Sequence, residues 1–108
     1  MFEDRERGYE AKWAHDEEML FRIMAKRDAS LAAWAAGLMH LSAGETADYV
    51  QSVINSGLAR KKPDPVLAKI RADFVTHGVA CTDVTLSDQA TNLFEQAKAA
   101  MLHERKPS

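Results

Sequence analysis

Residues 20–41, LFRIMAKRDASLAAWAAGLMHL, carry the pattern that decides the fold of this chain. Leucine or methionine recurs at positions 20, 24, 31 and 38, and at about 100° per residue these side chains share one helix face. The face is widened by apolar neighbours, which are Phe21, Ile23, Trp34, Ala35 and Leu41. This width predicts a helix that packs against a core, with neighbouring helices closing over the ring of Trp34.

The preceding stretch, FEDRERGYEAKWAHDEE at residues 2–18, continues the same helical phase with far fewer apolar side chains. Phe2, Tyr9 and Trp13 form a thin line with charge on both sides, and Gly8 lowers the local helix propensity. So little apolar area does not offset the backbone entropy of ordering the segment, so we expect this part of the helix to be marginal alone. An aromatic line of this kind suits a helix that anchors in the groove of another protein.

A second helix is predicted over residues 42–57. Ser42 and Glu45 match the S/T-x-x-E capping box, and Gly57 is expected to be the C′ residue that stops the helix. The expected buried face consists of Ala47, Val50, Val53 and Ile54.

A third helix is predicted over about residues 65–77, after a basic, proline-marked linker. Asp64 is a good N-cap and Pro65 a good first helical residue, while Gly78 is the expected stop. The expected buried side chains are Val66, Leu67, Ile70 and Phe74.

The fourth helix is expected to begin near Ser87 or Asp88, after a connector over residues 78–86. Its apolar stripe consists of Leu86, Ala90, Leu93, Phe94, Ala97 and Met101. The sequence therefore predicts an all-α fold, a small four-helix bundle with a long first helix whose N-terminal part is marginal or mobile. We assign residues 1–19 to a mobile partner-binding segment and residues 20–108 to the helical bundle domain.

Composition limits the class of protein. A chain of 108 residues suits one domain, and a hydrophobic fraction of 46% with 28% charged residues is typical of a soluble globular protein. The formal net charge of −2 offers no basic excess for nucleic acid. The single cysteine, Cys81, forms no internal disulfide, which favours a reducing compartment. With no signal-peptide or membrane-spanning pattern, we expect a cytoplasmic protein, monomeric when free, that does not insert into a membrane.

Few residues carry catalytic or metal-binding chemistry. None of the four histidines has another histidine at metal-ligand spacing. His15 has acidic neighbours, so a metal site or a proton sensor stands as an alternative to a solvated helix face; these neighbours are Asp16, Glu17 and Glu18. Cys81 is either a small packed residue or, beside a base, a reactive thiol. The basic cluster within residues 57–63 suits a solvated linker, or contact with phosphate or an acidic partner. No catalytic motif is found, and we expect no enzyme.

Four segments together carry a family resemblance. The most specific is FEDRERGYEAKWAHDEEMLFR at residues 2–22, and the others are AKRDASLAAWAA, ADYVQSVI and DPVLAKIRADF. With them the chain resembles, over nearly its whole length, the zeta subunit of alphaproteobacteria, a small inhibitor of the F-type ATP synthase. Asp28, Ala32 and Ala33 depart from residues frequent in that family, which affects packing more than mechanism.

The resemblance implies a four-helix bundle whose N-terminal segment enters an interface between catalytic subunits of the F-type ATP synthase, becomes helical and blocks ATP hydrolysis. Here the inhibitory stretch would be residues 1–19, and the implied partner-binding residues are Phe2, Arg5, Tyr9, Lys12, Trp13 and His15. The bound protein would be cytoplasmic and peripheral to the inner membrane. No cofactor is implied; the resemblance leaves weak nucleotide binding by the bundle open, and no motif identifies a site for it. The alternative functions are a non-inhibitory structural or assembly factor of the same complex and a small helical ligand-binding adaptor.

Overall fold

The computed structural model describes residues 17–59 and 63–105, with side chains described as far as His103. Within these ranges all regular structure is helical: α1 is Glu17–Leu38, α2 is Ala43–Gly57, α3 is Pro65–Thr76 and α4 is Asp83–Arg105. The predicted all-α fold with four helices is therefore confirmed for the part of the chain that the structure describes. The N-terminal stretch expected to continue the first helix, residues 1–16, lies outside it.

Two of the predicted helix starts are confirmed in atomic detail. At α2 the Ser42 hydroxyl accepts from the Glu45 backbone N–H at 3.1 Å, and the Glu45 carboxylate accepts from the Ser42 N–H at 2.9 Å. At α3 the Asp64 carboxylate accepts from the Val66 N–H at 2.9 Å, with Pro65 as the first helical residue. These caps satisfy backbone donors that have no partner within the helix.

Left-handed residues end two of the helices. Gly78 follows α3 at a φ of 67°, which confirms its predicted role as a stop. At the end of α1 the corresponding residue is His40, at a φ of 58°, and the following Leu41 N–H donates to Ala36 O at 3.1 Å. A side chain at this φ is strained where glycine is not, so α1 ends at a residue that sequence rules do not favour.

The start predicted for the fourth helix was wrong by about one turn. The helix begins at Asp83, because Thr82 caps it: its hydroxyl accepts from the Thr85 N–H at 3.1 Å. The guanidinium of Arg71 donates to the Asp83 carboxylate at 2.7 Å and ties this first turn to α3. Residues 83–86, predicted to be connector, are therefore helical.

The larger of two apolar cores lies where all four helices meet, and we call it the main core. Its buried residues are Leu31, Ala32, Ala35, Met39, Val53, Val66, Ile70, Phe74, Leu86 and Ala90. Trp34 is half-buried at its edge, with its ring centroid 5.9 Å from that of Phe74 in an edge-to-face arrangement. The expectation that Trp34 packs in the bundle is confirmed.

The smaller core lies between the first half of α1 and the second half of α4. It consists of Met19, Ile23 and Ala97, with Phe94 and Met101 half-buried against it. Among the described residues, α2 and α3 contribute nothing to this cluster. We call residues 17–26 and 94–105 the two-helix arm, and this cluster the arm core.

The buried face of α1 does not follow the straight stripe that the sequence predicted. Phe21 and Leu38, expected on or beside that stripe, are 46% and 40% exposed, while Met19 is buried. The reason is that, among the described residues, α1 shares the arm core with α4 alone, whereas it packs against all three other helices in the main core. Its buried direction therefore turns along the helix, which one period cannot express. In α2, Ala47 was also wrongly expected to be buried.

Candidate partner-binding site

The six predicted partner-binding residues all precede Glu17 and lie outside the described residues. The structure describes the surface of α1 that directly follows them in the chain. Glu17 and Glu18 are exposed in the first described turn of α1, and Glu18 pairs with Arg22 at 2.9 Å. With Leu20 and Phe21 they line a shallow depression of about 520 Å³. The surface at the end of the predicted inhibitory stretch and directly after it is thus acidic and apolar.

Met19 has a place in the fold that its sequence context did not indicate. It is the last residue of the predicted segment 1–19, yet it is only 5% exposed and belongs to the arm core. The boundary between residues 19 and 20 remains a prediction. Because Met19 is buried, its side chain can contact a partner only after it loses its packing against α4.

A buried ionic cluster follows the arm core along α1, on the side of the main core, and joins α1 to the start of α3. The Arg27 guanidinium donates to the Asp28 carboxylate at 2.7 and 3.0 Å, and to the Asp64 carboxylate at 3.0 Å. Arg27 and Asp28 are 6% and 3% exposed. Asp64 therefore serves twice, as the N-cap of α3 and as a partner of α1. The cluster fixes the start of α3 against the first helix.

Gly57 is packed against this ionic cluster. The prediction that it is a C′ residue was wrong: it is the last residue of α2, and Leu58 is the C-cap with right-handed helical angles. A Cβ at Gly57 would collide with the Asp28 carboxylate and approach Val66 Cγ2 to 3.1 Å. Glycine is required here because α2 passes close to a buried side chain, not because of its backbone angles.

Metal chemistry finds no support in the described ranges, which hold no group of three His, Cys, Asp or Glu residues placed for an ion. Glu18 pairs with Arg22, while His15 and Asp16, which completed the proposed site, lie outside those ranges. Cys81 is half-buried against the main core, and its thiol donates weakly to Thr82 O at 3.7 Å.

A polar network joins the outer surfaces of α2 and α3. The Tyr49 hydroxyl donates to the Asp73 carboxylate at 2.8 Å, and Lys69 pairs with the same carboxylate at 3.1 Å. Burial and the contact with Asp73 raise the pKa of the Tyr49 phenol well above its ordinary value. At the start of α2, hydrogen bonds from the backbone and side chain of Ser42 hold the pKa of Glu45 below its ordinary value. Both effects are those of structural contacts that stabilise one protonation state.

Sequence analysis missed the burial of Arg27 and Asp28. The available signal was position: Arg27 lies four residues after Ile23 and four before Leu31, so it occupies the same side of α1 as two buried residues. Charged side chains at core positions are buried when they are paired, and Asp64, the partner distant in sequence, had been interpreted only as a cap. The basic residues 60–62 lie outside the described residues.

None of the helices traced in residues 17–59 and 63–105 is both long and apolar enough to cross a membrane. Comparison with curated proteins found no significant match, and neither did comparison with solved structures. A family model does match: that of the ATPase inhibitor subunit zeta, over residues 1–100. This match covers most of the chain, including the N-terminal stretch, all of α1, α2 and α3, and α4 as far as residue 100. The chain therefore belongs to the family of the ATPase inhibitor subunit zeta.

Proposed function

We propose that this chain binds the catalytic head of the F-type ATP synthase and inhibits ATP hydrolysis through residues 1–19, which form a helix in the bound state. Membership in an ATPase inhibitor family gives the chain an inhibitory, regulatory role. The partner surface, the segment and the mechanism are our proposal. Catalysis by the chain itself is not part of it.

The observation that carries the proposal is the thin aromatic line in a highly charged segment. Tyr9 and Trp13 continue the helical phase of α1 but have few apolar neighbours in sequence. The described part of α1 supports a helix that extends toward the N-terminus. It is helical from Glu17 onward, and acidic residues and Phe21 are exposed in its first turns. A helix extended from this end can place the face that carries its aromatic side chains in a groove of the partner, as in helix-in-groove recognition.

The test is a titration of ATP hydrolysis by purified synthase with the full chain and with a chain lacking residues 1–16. This deletion keeps Met19 and hence the arm core, so loss of function does not follow from loss of the bundle. A point variant, Tyr9→Ala with Trp13→Ala, narrows the assignment to the aromatic line. Val75→Ala is the matched control, because Val75 is 79% exposed in the last turns of α3.

We expect inhibition by the full chain and by the Val75 control, and its loss in the deletion and the aromatic double variant. Inhibition that survives the deletion refutes the proposed segment. Co-sedimentation with the synthase head separates the alternatives, because a structural or assembly factor binds without inhibiting, and a ligand-binding adaptor does neither.

A further inference from the structure

We infer that the two-helix arm opens as a separate unit of lower stability than the main core, releasing the Met19 face of α1 while the rest of the bundle stays folded. Among residues 17–59 and 63–105, the arm core buries three side chains, Met19, Ile23 and Ala97, all contributed by two helices. In the same ranges the main core buries ten, nine from the four helices and Met39 directly after α1. Since hydrophobic stabilisation follows the apolar area removed from water, the arm is held much more weakly.

A polar layer separates the two cores. Along α1, the buried apolar line stops at Ile23 and resumes at Leu31, eight residues and about 12 Å further on. Arg27 and Asp28 are the buried residues between them. A buried ion pair contributes little net stability when both partners are present. The layer therefore fastens α3 to α1 and interrupts the apolar packing along α1, so that in the described ranges α4 alone carries apolar side chains from one core to the other, through Leu93 and Phe94.

A surface groove lies at the level of the polar layer. It has a volume of about 280 Å³ between α1, α3 and α4 and is lined by Arg27, Leu67, Ser87, Ala90, Thr91 and Phe94. Side chains that line this groove face solvent on that side, so they bury less apolar area between the arm and the main core. Opening of the arm can thus stop at this level, with the ionic cluster and the main core intact.

This opening has a consequence that rests on the proposed function. The Met19 side chain of α1 is buried against α4. A partner that binds residues as far as Met19 can contact this side chain only after it has left the arm core. An arm that opens alone allows this without unfolding the bundle. The inhibitory helix is then continuous with α1. The partner's groove holds the residues of α1 released from the arm core, at most as far as the polar layer at Arg27.

Native-state hydrogen exchange of the full free chain tests the inference independently of any inhibition. Amides in the arm, such as those of residues 98–101, are compared with those of residues 70–74 in the main core. We expect the arm amides to exchange faster and with a weaker dependence on denaturant, because their opening exposes less surface. Equal opening free energies and equal denaturant slopes for the two sets would overturn the inference.

A matched pair of variants on α4 sharpens the test. Ala90 and Ala97 are both buried, at 4% and 3% exposed, but lie in the main core and the arm core respectively. Ala90→Gly should accelerate exchange in the main core about fivefold and leave the arm amides unchanged, because the arm opens without disturbing residue 90. Ala97→Gly should accelerate both sets about fivefold, because both openings start from the weakened native arm. Equal acceleration of both sets by Ala90→Gly means a single cooperative unit and refutes the inference.

Discussion

Replacing Gly57 with alanine is expected to destabilise the protein, although the same change in an ordinary helix stabilises it. The added Cβ collides with the Asp28 carboxylate. A flexible exposed carboxylate would move aside at little cost. Asp28 is instead 3% exposed and held by Arg27 at 2.7 and 3.0 Å, so its displacement lengthens hydrogen bonds between buried charges.

The size of the effect follows from two opposing terms. Alanine gains up to about 1 kcal/mol over glycine in a helix. Overpacking a filled site costs about 1–3 kcal/mol, and weakening a charged buried hydrogen bond costs about 1.5–3 kcal/mol. The expected net loss is about 3 kcal/mol. For a domain of this size that lowers the melting temperature by roughly 15 °C.

Urea unfolding and thermal melts of Gly57→Ala measure this directly, and Gly37→Ala is the matched control. Gly37 also lies in the last turn of its helix, but its added Cβ meets nothing within 4 Å. The control should gain about 0.5–1 kcal/mol. If Gly57→Ala were neutral or stabilising, the close approach of α2 to the ionic cluster would not be what requires glycine there.

Three further changes probe separate features. Arg27→Met should cost about 3 kcal/mol in urea unfolding, because it removes the guanidinium that donates twice to the buried Asp28 carboxylate, and Asp28→Asn in the same chain should recover part of that loss. His40→Gly should raise the stability by about 1 kcal/mol, because residue 40 has a φ of 58°; an unchanged melting temperature contradicts this. Glu45 has a lowered pKa, so its ionised form stabilises the fold above pH 4.5, and this contribution is lost as the pH falls through the folded-state value. The stability difference between the wild type and Glu45→Gln should therefore shrink between pH 7 and pH 3, and a constant difference would argue against it.

The division into an arm and a main core means that the two halves of α1 have different roles in the proposed inhibitor. The C-terminal half of α1 packs against three other helices and stabilises the bundle. The N-terminal part shares the arm core with α4 alone among the described residues, and it leads directly to the proposed inhibitory stretch. Such an arrangement lets the end of the helix exchange partners while the bundle keeps its structure.

Those features that depend on neighbouring residues in the chain could be predicted from the amino-acid sequence. The capping box at Ser42, the Asp64 cap and the left-handed Gly78 were predicted from their positions, since each acts within one helical turn. The all-helical fold also follows from local periodicity. The N-terminal motifs indicated the family that the match over residues 1–100 shows.

Contacts between distant segments set which surfaces the helices share. The buried face of α1 turns along its length because, among the described residues, α1 shares the arm core with one helix and the main core with three. Arg27 and Asp28 are buried because Asp64, 37 residues beyond Arg27, completes their cluster. Gly57 is a glycine because that cluster lies against α2, a contact between distant segments that no local pattern encodes.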